Sequence, residues 1–311
     1  MKILLTGATG FVGRVAARTL ESRGHSVRAA LRAPRTGLTF ESVVVGEVGP
    51  ETDWSRALEG VETVVHLAAR VHVMRDDADG VIEFERVNTE GTLHLARAAA
   101  VAGARRFVFV SSIKVNGEAT TGRPFRADDE PHPGDAYARS KYAAERGLLE
   151  IGGIEPVIIR PPLVHGPGAK GNLARFCRLA RSGWPVPLGG ISNRRDLVGV
   201  ENLANLIERC VWHPAAAGQV FLASDGEALS TPELYRLIAE ALGRQARMVK
   251  VPVTLMRALA GPLGLGAEID RLTESLELDI TKTRELLGWE PPVSAAAGIA
   301  DMARAFASRS S

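Results

Sequence analysis

The residues able to do chemistry fall into two short groups. Tyr137 and Lys141 stand four apart in Tyr137-Ala138-Arg139-Ser140-Lys141, within a stretch, 136–151, that reads as a helix. Both side chains therefore leave one helix face. A phenol with a pKa of about 10 is a poor acid–base group at neutral pH, and a nearby ammonium favours its phenolate and lowers that value. The pair suits proton transfer at a substrate oxygen, and Lys141 is also placed to hold a ribose. The other group is Thr6-Gly7-Ala8-Thr9-Gly10-Phe11-Val12-Gly13, directly behind the apolar Ile3-Leu4-Leu5. A tight turn at Gly7, backbone open to phosphate at Gly10 and close helix packing on the sheet at Gly13 suit a pyrophosphate at a helix N-terminus. The spacing GxxGxxG says little alone and gains weight from lying between a strand and a helix. Tyr-x-x-x-Lys gains in the same way: the strand before it ends Phe109-Val110-Ser111-Ser112, bringing hydroxyls to the carboxyl edge of the sheet.

These groups need a scaffold, and the chain supplies an alternation of β-branched runs and helical patterns. Strands are expected over 2–5, 26–31, 43–45, 63–67, 106–111 and 156–160, with helices over 12–23, 54–58, 82–102 and 136–151. That is an α/β fold, a doubly wound parallel sheet of the dinucleotide-binding type. After Arg160 the texture changes: Pro161-Pro162 and the Gly/Pro-rich 166–171 interrupt regular structure. Helices follow over 173–181, 200–211, 232–242 and 296–306, with short strands near Leu197 and over 220–222. The expected division is 1–165 with 195–222 as the dinucleotide-binding domain, and 166–194 with 223–311 as a smaller, mostly helical substrate lobe. Trp184, Trp212, Trp289 and Phe176 are expected in the core of that lobe, and His66 as a packed core histidine.

The 311 residues are 45% hydrophobic and 24% charged, ordinary for a soluble protein, and the net charge of +2 calls for neither nucleic acid nor anionic membrane. Only Cys177 and Cys210 are present, without CxxC or Cys/His clusters, so buried thiols are expected and no metal site. Glycines interrupt the first apolar run at once and no segment has the length of a membrane span, so a cytoplasmic location is expected. The end of the second strand bears on the dinucleotide. Leu31 stands where NAD-binding chains carry an acid, followed by Arg32 and, three residues on, Arg35. These arginines either clasp a 2′-phosphate or are solvated loop charges; the reading prefers NADP(H), with NAD(H) as the alternative.

Taken together, the chain resembles the extended short-chain dehydrogenase/reductase family, in its nucleotide-sugar branch. The resemblance rests on Gly7/Gly10/Gly13, His66-Leu67-Ala68-Ala69, Val87-Asn88-Thr89-Glu90-Gly91-Thr92, Ser111-Ser112 with Val115 and Gly117, and Tyr137-x-x-x-Lys141. Arg160-Pro161-Pro162, Gly166-Pro167-Gly168, Arg195-Asp196-Leu197, Asp279-Ile280-Thr281-Lys282 and Leu286-Leu287-Gly288-Trp289 extend it over nearly the whole chain. The resemblance implies Ser112, Tyr137 and Lys141 as the catalytic group, with Ser112 aligned on the substrate oxygen; Ser111, on the other strand face, reads as structural. It implies Leu67, Ala68 and Ala69 along the pyrophosphate and ribose, Glu47 and Val48 at the adenine, and Asn88 and Pro161 in the cofactor-binding set beside Thr9, Phe11 and Val12.

The branch also implies a UDP-sugar substrate. Arg195, Arg271 and Lys170 are the candidates for its phosphates, Asn172 for a contact that Leu163 would lack, and His165 and Lys114 for the sugar or a phosphate. Family dehydratases carry Asp-Glu after the serine; here stand Ile113-Lys114, which argues against elimination. Redox chemistry at C4 remains. Val71-His72-Val73-Met74, the segment 111–117 and the segment 161–172 most resemble bacterial reductases of UDP-4-keto-6-deoxy-N-acetylglucosamine in surface-polysaccharide synthesis. A UDP-hexose 4-epimerase with tightly bound NAD, and a non-catalytic dinucleotide sensor, are the alternatives. Relatives in this branch dimerise through the helices expected over 82–102 and 136–151, so a homodimer is open here.

Overall fold

In a computed structural model, which describes residues 1–71, 78–264 and 266–308, the chain forms a seven-stranded parallel sheet with helices on both faces. Residues 72–74 of the Val71–Met74 motif lie outside the described residues. The strands are β1 Lys2–Thr6, β2 Ser26–Leu31, β3 Glu41–Val44, β4 Thr63–His66, β5 Arg106–Val110 and β6 Glu155–Arg160, with β7 Leu163–His165, β8 Leu197–Gly199 and β9 Val220–Leu222 after them. The helices are α1 Phe11–Ser22, α2 Ser55–Leu58, α3 Ala78–Phe84, α4 Gly91–Val101, α5 Ala136–Glu150 and α6 Gly171–Ser182. The second half adds α7 Val200–Trp212, α8 Thr231–Ala241, α9 Val253–Ala260, α10 Gly266–Thr273, α11 Thr281–Leu287 and α12 Ala295–Ser308.

The order β3-β2-β1-β4-β5-β6-β9 reverses direction between β1 and β4, so the loops after those two strands flank a crevice at the carboxyl edge. Side chains alternate across the sheet as the two-residue period of a strand demands. Ile3 and Leu5 face a core shared with α1 and α7, while Leu4, Phe107 and Phe109 face one shared with α2, α4 and α5. A third core joins α6, α8 and α12 through Leu173, Phe176, Tyr235, Ile238 and Ile299.

The structure departs from expectation at three places. The helix expected over 82–102 is broken by a π-helical stretch, Glu85–Glu90, between α3 and α4. The extra residue in that wider turn directs Asn88 into the interior, where its amide is fully engaged, and inserted turns of this kind are common at functional sites. The short strand β7, between Pro162 and Gly166, pairs in parallel with β8. Among the named aromatic residues only Phe176 joins the core of the second lobe. Trp184 is 73% exposed, Trp212 is exposed, and Trp289 packs with Leu276, Leu278, Ile280 and Leu287 into the core beside α7.

Candidate active site

The turn after β1 shows why three glycines are needed. Gly7 has φ +70°, and a Cβ there would lie 2.9 Å from Ala68 N. A Cβ on Gly13 would lie 2.0 Å from the Gly7 carbonyl oxygen. Gly13 is thus required by the turn itself, folded back onto the first turn of α1, and not by helix–sheet packing as the sequence suggests. The result is a concave backbone cradle that any side chain would fill, a shape suited to the pyrophosphate of a dinucleotide.

The opposite wall is held by one polar chain. Thr6 and His66 are register partners of β1 and β4. The Thr6 hydroxyl accepts from the Leu67 and Ala68 N–H groups (3.2 and 3.1 Å), so its own proton goes to His66 Nδ1 (2.8 Å). Thr92 donates to the Asn88 carbonyl (2.7 Å), which leaves His66 Nε2 to donate to Thr92 (3.1 Å). Such an imidazole must be neutral, and burial, with the Lys141 charge, lowers its pKa to about 3. His66 is therefore the packed histidine expected, and it fixes the Leu67–Ala68 wall.

The resulting cleft has a volume of about 870 Å³. It brings together Gly7, Thr9, Gly10, Phe11, Val12, Gly13, Arg32, Arg35, Glu47, Val48, Leu67, Ala68 and Ala69 from four separate segments. Arg32 lies 4.0 Å from Glu47, and Arg86 lies 3.8 Å from its other oxygen. Two expected cofactor residues are placed differently. Asn88 is buried and uses its amide to hold Arg70 N (2.8 Å), the Arg70 carbonyl (3.0 Å) and Ser140 Oγ (3.0 Å), so it braces the β4 loop against α5 and has no amide hydrogen to spare. Pro161 is buried, and its carbonyl accepts from Ile113 N (3.0 Å), fixing the turn behind Ser112.

At the end of β5, Ser112 begins a single 3₁₀ turn, Ile113–Val115. Tyr137 stands in the first turn of α5, edge-on to Phe84 with ring centroids 5.9 Å apart and near enough to Ser112 for that hydroxyl to act on the phenol. Ser112 and Tyr137 are thus brought together as the resemblance implies. The expected effect of Lys141 on the phenol is not what the geometry holds. Lys141 is 2% exposed, donates to the Val110 carbonyl (2.8 Å) and lies 4.0 Å from the centre of the Phe109 ring. Burial pulls its pKa down to about 7, against the Glu145 charge. Burial and the Asp135 charge push the Tyr137 phenol up to about 12, and the Ser112 hydrogen bond only partly offsets them. Desolvation outweighs the ammonium because the ammonium points at β5.

Several residues that matter here escape sequence reading. Arg160, at the end of β6, is buried and pairs with Glu145 of α5 (2.5 Å) while donating to Asn116 Oδ1 (2.9 Å). This network locks α5 onto β6 and onto the turn that carries Ser112. Asp135 caps α5 by accepting from Ala138 N (2.7 Å); an Asp before a helix is a legible capping signal, but its second partner is not. That partner is Lys114, whose ammonium sits on Asp135 (2.6 Å) and Glu118 (2.9 Å), so it is not presented to a substrate phosphate as expected.

The expected substrate residues do not converge. His165 is fully buried, its Nε2 bonded to Asp225 (2.6 Å), which also accepts from Gly199 N and Asn202; the imidazole ties β7 to the second half and does not reach a sugar. Lys170 and Asn172 line a separate cavity of about 570 Å³ between α6 and α12. Arg195 donates to the Glu274 carbonyl (2.9 Å) from the seam between β8 and the 272–276 segment, and Arg271 is exposed on α10 beside that seam. Among the described residues, no group of three or more His, Cys, Asp or Glu is placed to hold a metal, and no helix is long and apolar enough to cross a membrane.

The family model described as the NAD dependent epimerase/dehydratase family matches residues 3–223. The chain belongs to that family. It is 43% identical over 314 residues to a UDP-glucose 4-epimerase of Vibrio cholerae, covering 98% of this chain and 95% of the other. It is 30% identical over 322 residues to a 3-beta-hydroxysteroid dehydrogenase of Mycolicibacterium neoaurum, covering 93% and 87%. Among solved structures, MoeE5 in complex with UDP-glucose and NAD superposes with a TM-score of 0.80 at 25% identity, covering 100% of this chain and 99% of that one. The protein is accordingly an enzyme of the NAD-dependent epimerase/dehydratase family with a Rossmann-like fold.

Proposed function

We propose that the protein reduces the C4 ketone of a UDP-sugar with NADPH, its substrate being UDP-4-keto-6-deoxy-N-acetylglucosamine and its product UDP-N-acetylquinovosamine for surface polysaccharide. The observation that carries this reading is the Ser112–Tyr137 pair at the end of β5, beside a glycine cradle whose shape fits a dinucleotide. The bound cofactor supplies the hydride. Ser112 orients the C4 oxygen by hydrogen bonding, and Tyr137 delivers its phenolic proton to that oxygen as charge develops there, a step its protonated resting state favours. Lys141, held on the Val110 carbonyl beneath the pair, is assigned to the ribose. Elimination is disfavoured because Asp135 and Glu118, the carboxylates flanking this turn, are both held on the Lys114 ammonium.

In the same reading, residues 1–165 and 195–222 hold the cofactor, 166–194 and 223–311 form the sugar-nucleotide lobe, and Arg271 of that lobe with Arg195 at its border hold the phosphates. Exposed Ile82 and Leu149, on α3 and α5, support a homodimer through these helices. A 4-epimerase with retained NAD is the second reading, favoured by the Vibrio cholerae relative. Leu31 in the place of an acid, with Arg32 after it, favours NADPH and thus the reductase. Mass spectrometry of protein purified without added ligand tests this: retained NAD, with interconversion of UDP-glucose and UDP-galactose, would reverse the assignment. A cofactor-free or NADPH-loaded protein that oxidises NADPH only when given the 4-keto sugar nucleotide is the expected result.

A further inference from the structure

The turn after β5 and the start of α5 carry the two groups that meet the substrate, and among the described residues one side-chain ion pair joins them directly. Lys114 follows Ser112 by two residues, and the Lys114 N–H donates to Ser112 Oγ (3.3 Å). Asp135 precedes Tyr137 by two residues and caps its helix. Asp135 is 21 positions after Lys114, and the excursion between them is closed by the Lys114–Asp135 bond of 2.6 Å, while Glu118 within that excursion takes a second hydrogen of the same ammonium (2.9 Å). We propose that Lys114 is a positioning residue, which holds the Ser112 turn against the Tyr137 end of α5 and neutralises the Asp135 carboxylate two residues before the phenol. The inference rests on the C4 redox reaction proposed above.

The surrounding charges leave this task to Lys114. Among the described residues, Asp135 has no other side-chain cation hydrogen-bonded to it. Arg139, on the same helix, adds only its field, and its guanidinium donates to the Gly134 carbonyl. Across from α5, Glu83 of α3 is committed to Arg70 and Arg86, and Lys141 points at the Val110 carbonyl. From the second lobe, Arg195 interacts with Glu118 and Glu274 through space. Burial works against the Lys114 charge, but the hydrogen bonds and charges of Asp135 and Glu118 outweigh it and raise its pKa overall. The ammonium therefore stays protonated across the working range. Without it, Asp135 would repel the phenolate unopposed.

Opposed substitutions test the idea. Asp135→Asn, which keeps a capping oxygen, should move the ionisation of Tyr137 to lower pH by about one unit, and Lys114→Met should leave the phenol protonated where the wild type begins to titrate. Two readouts apply: the pH profile of kcat/KM, and the ¹³Cζ signal of Tyr137 in tyrosine-labelled protein, which holds three tyrosines and is assigned with Tyr137→Phe. Lys114→Met should also lower kcat about tenfold with KM little changed, Lys114→Arg should restore it, and Lys114→Met should cost far less in an Asp135→Asn background. Shifts in the same direction, no shift in either variant, or full additivity in the double variant would overturn the proposal. Lys114→Gln replaces Lys114→Met if the latter does not fold. If the wild type turns over neither a 4-keto UDP-sugar nor UDP-glucose, the reaction assignment fails, and the tyrosine signal still decides the role of Lys114.

Discussion

The two ends of the site are built on opposite principles. At the adenine end, Arg32 and Glu47 have side chains 79% and 70% exposed and face each other at 4.0 Å across solvated loops. At the proton-transfer end, Lys141 is 2% exposed and His66 fully buried, and each has its pKa displaced by desolvation. An exposed ion pair contributes roughly 0–1 kcal/mol, so the adenine end is free to change its dinucleotide preference at little cost to the fold. A buried amine cannot be altered without disturbing both stability and chemistry. On the proposed reading, cofactor preference and reactivity are carried by regions of different burial.

The comparison is most severely tested at Tyr137. Tyr137→Phe should lower kcat by about 10²- to 10⁴-fold while dinucleotide affinity, measured by fluorescence titration, stays within about threefold. Comparable loss of affinity would show that the two ends are not separable. The next effect is on stability. The folded pKa of Lys141, about 7, lies below the value of 10.5 for the free side chain, so the unfolded chain binds more protons between those pH values. Stability contributed by this site is therefore complete above about pH 10.5 and lost as pH falls toward 7. Denaturant midpoints of the wild type should rise with pH over this window relative to Lys141→Met, while Tyr137, raised to about 12, lowers both proteins alike above pH 10 and cancels in the comparison. Parallel profiles for the two proteins would show that the amine is solvated. The smallest effect is at the exposed end: Arg32→Asp should weaken NADPH binding about tenfold more than NADH binding, with kcat nearly unchanged. Equal losses would remove Arg32 from the 2′-phosphate site.

Much of the scaffold was legible because it rests on local periodicity. All six strands of the first half, and α1, α5, α7 and α8, fall within a residue or two of expectation, and the glycine turn is where its spacing puts it. The π-helical break was not legible, since it depends on Asn88 finding Arg70 and Ser140 across the fold. Helices α9 and α10 carry no motif that separates them from the Gly/Pro-interrupted sequence around them. His165 and Lys114 looked like ligands because a titratable residue beside a motif resembles one; Asp225 and Asp135, distant in sequence, consume them.

The amino-acid sequence alone determined the doubly wound sheet, the glycine turn after β1 and the presence of a hydroxyl–phenol–amine set, since each follows from periods of two, three or four residues along the chain. Only the tertiary structure decided what those groups do to one another. Burial sets the phenol high and the amine low, and the direction in which Lys141 points decides which field Tyr137 feels. Desolvation and Coulomb energies depend on distance through space, and no spacing along a chain encodes them.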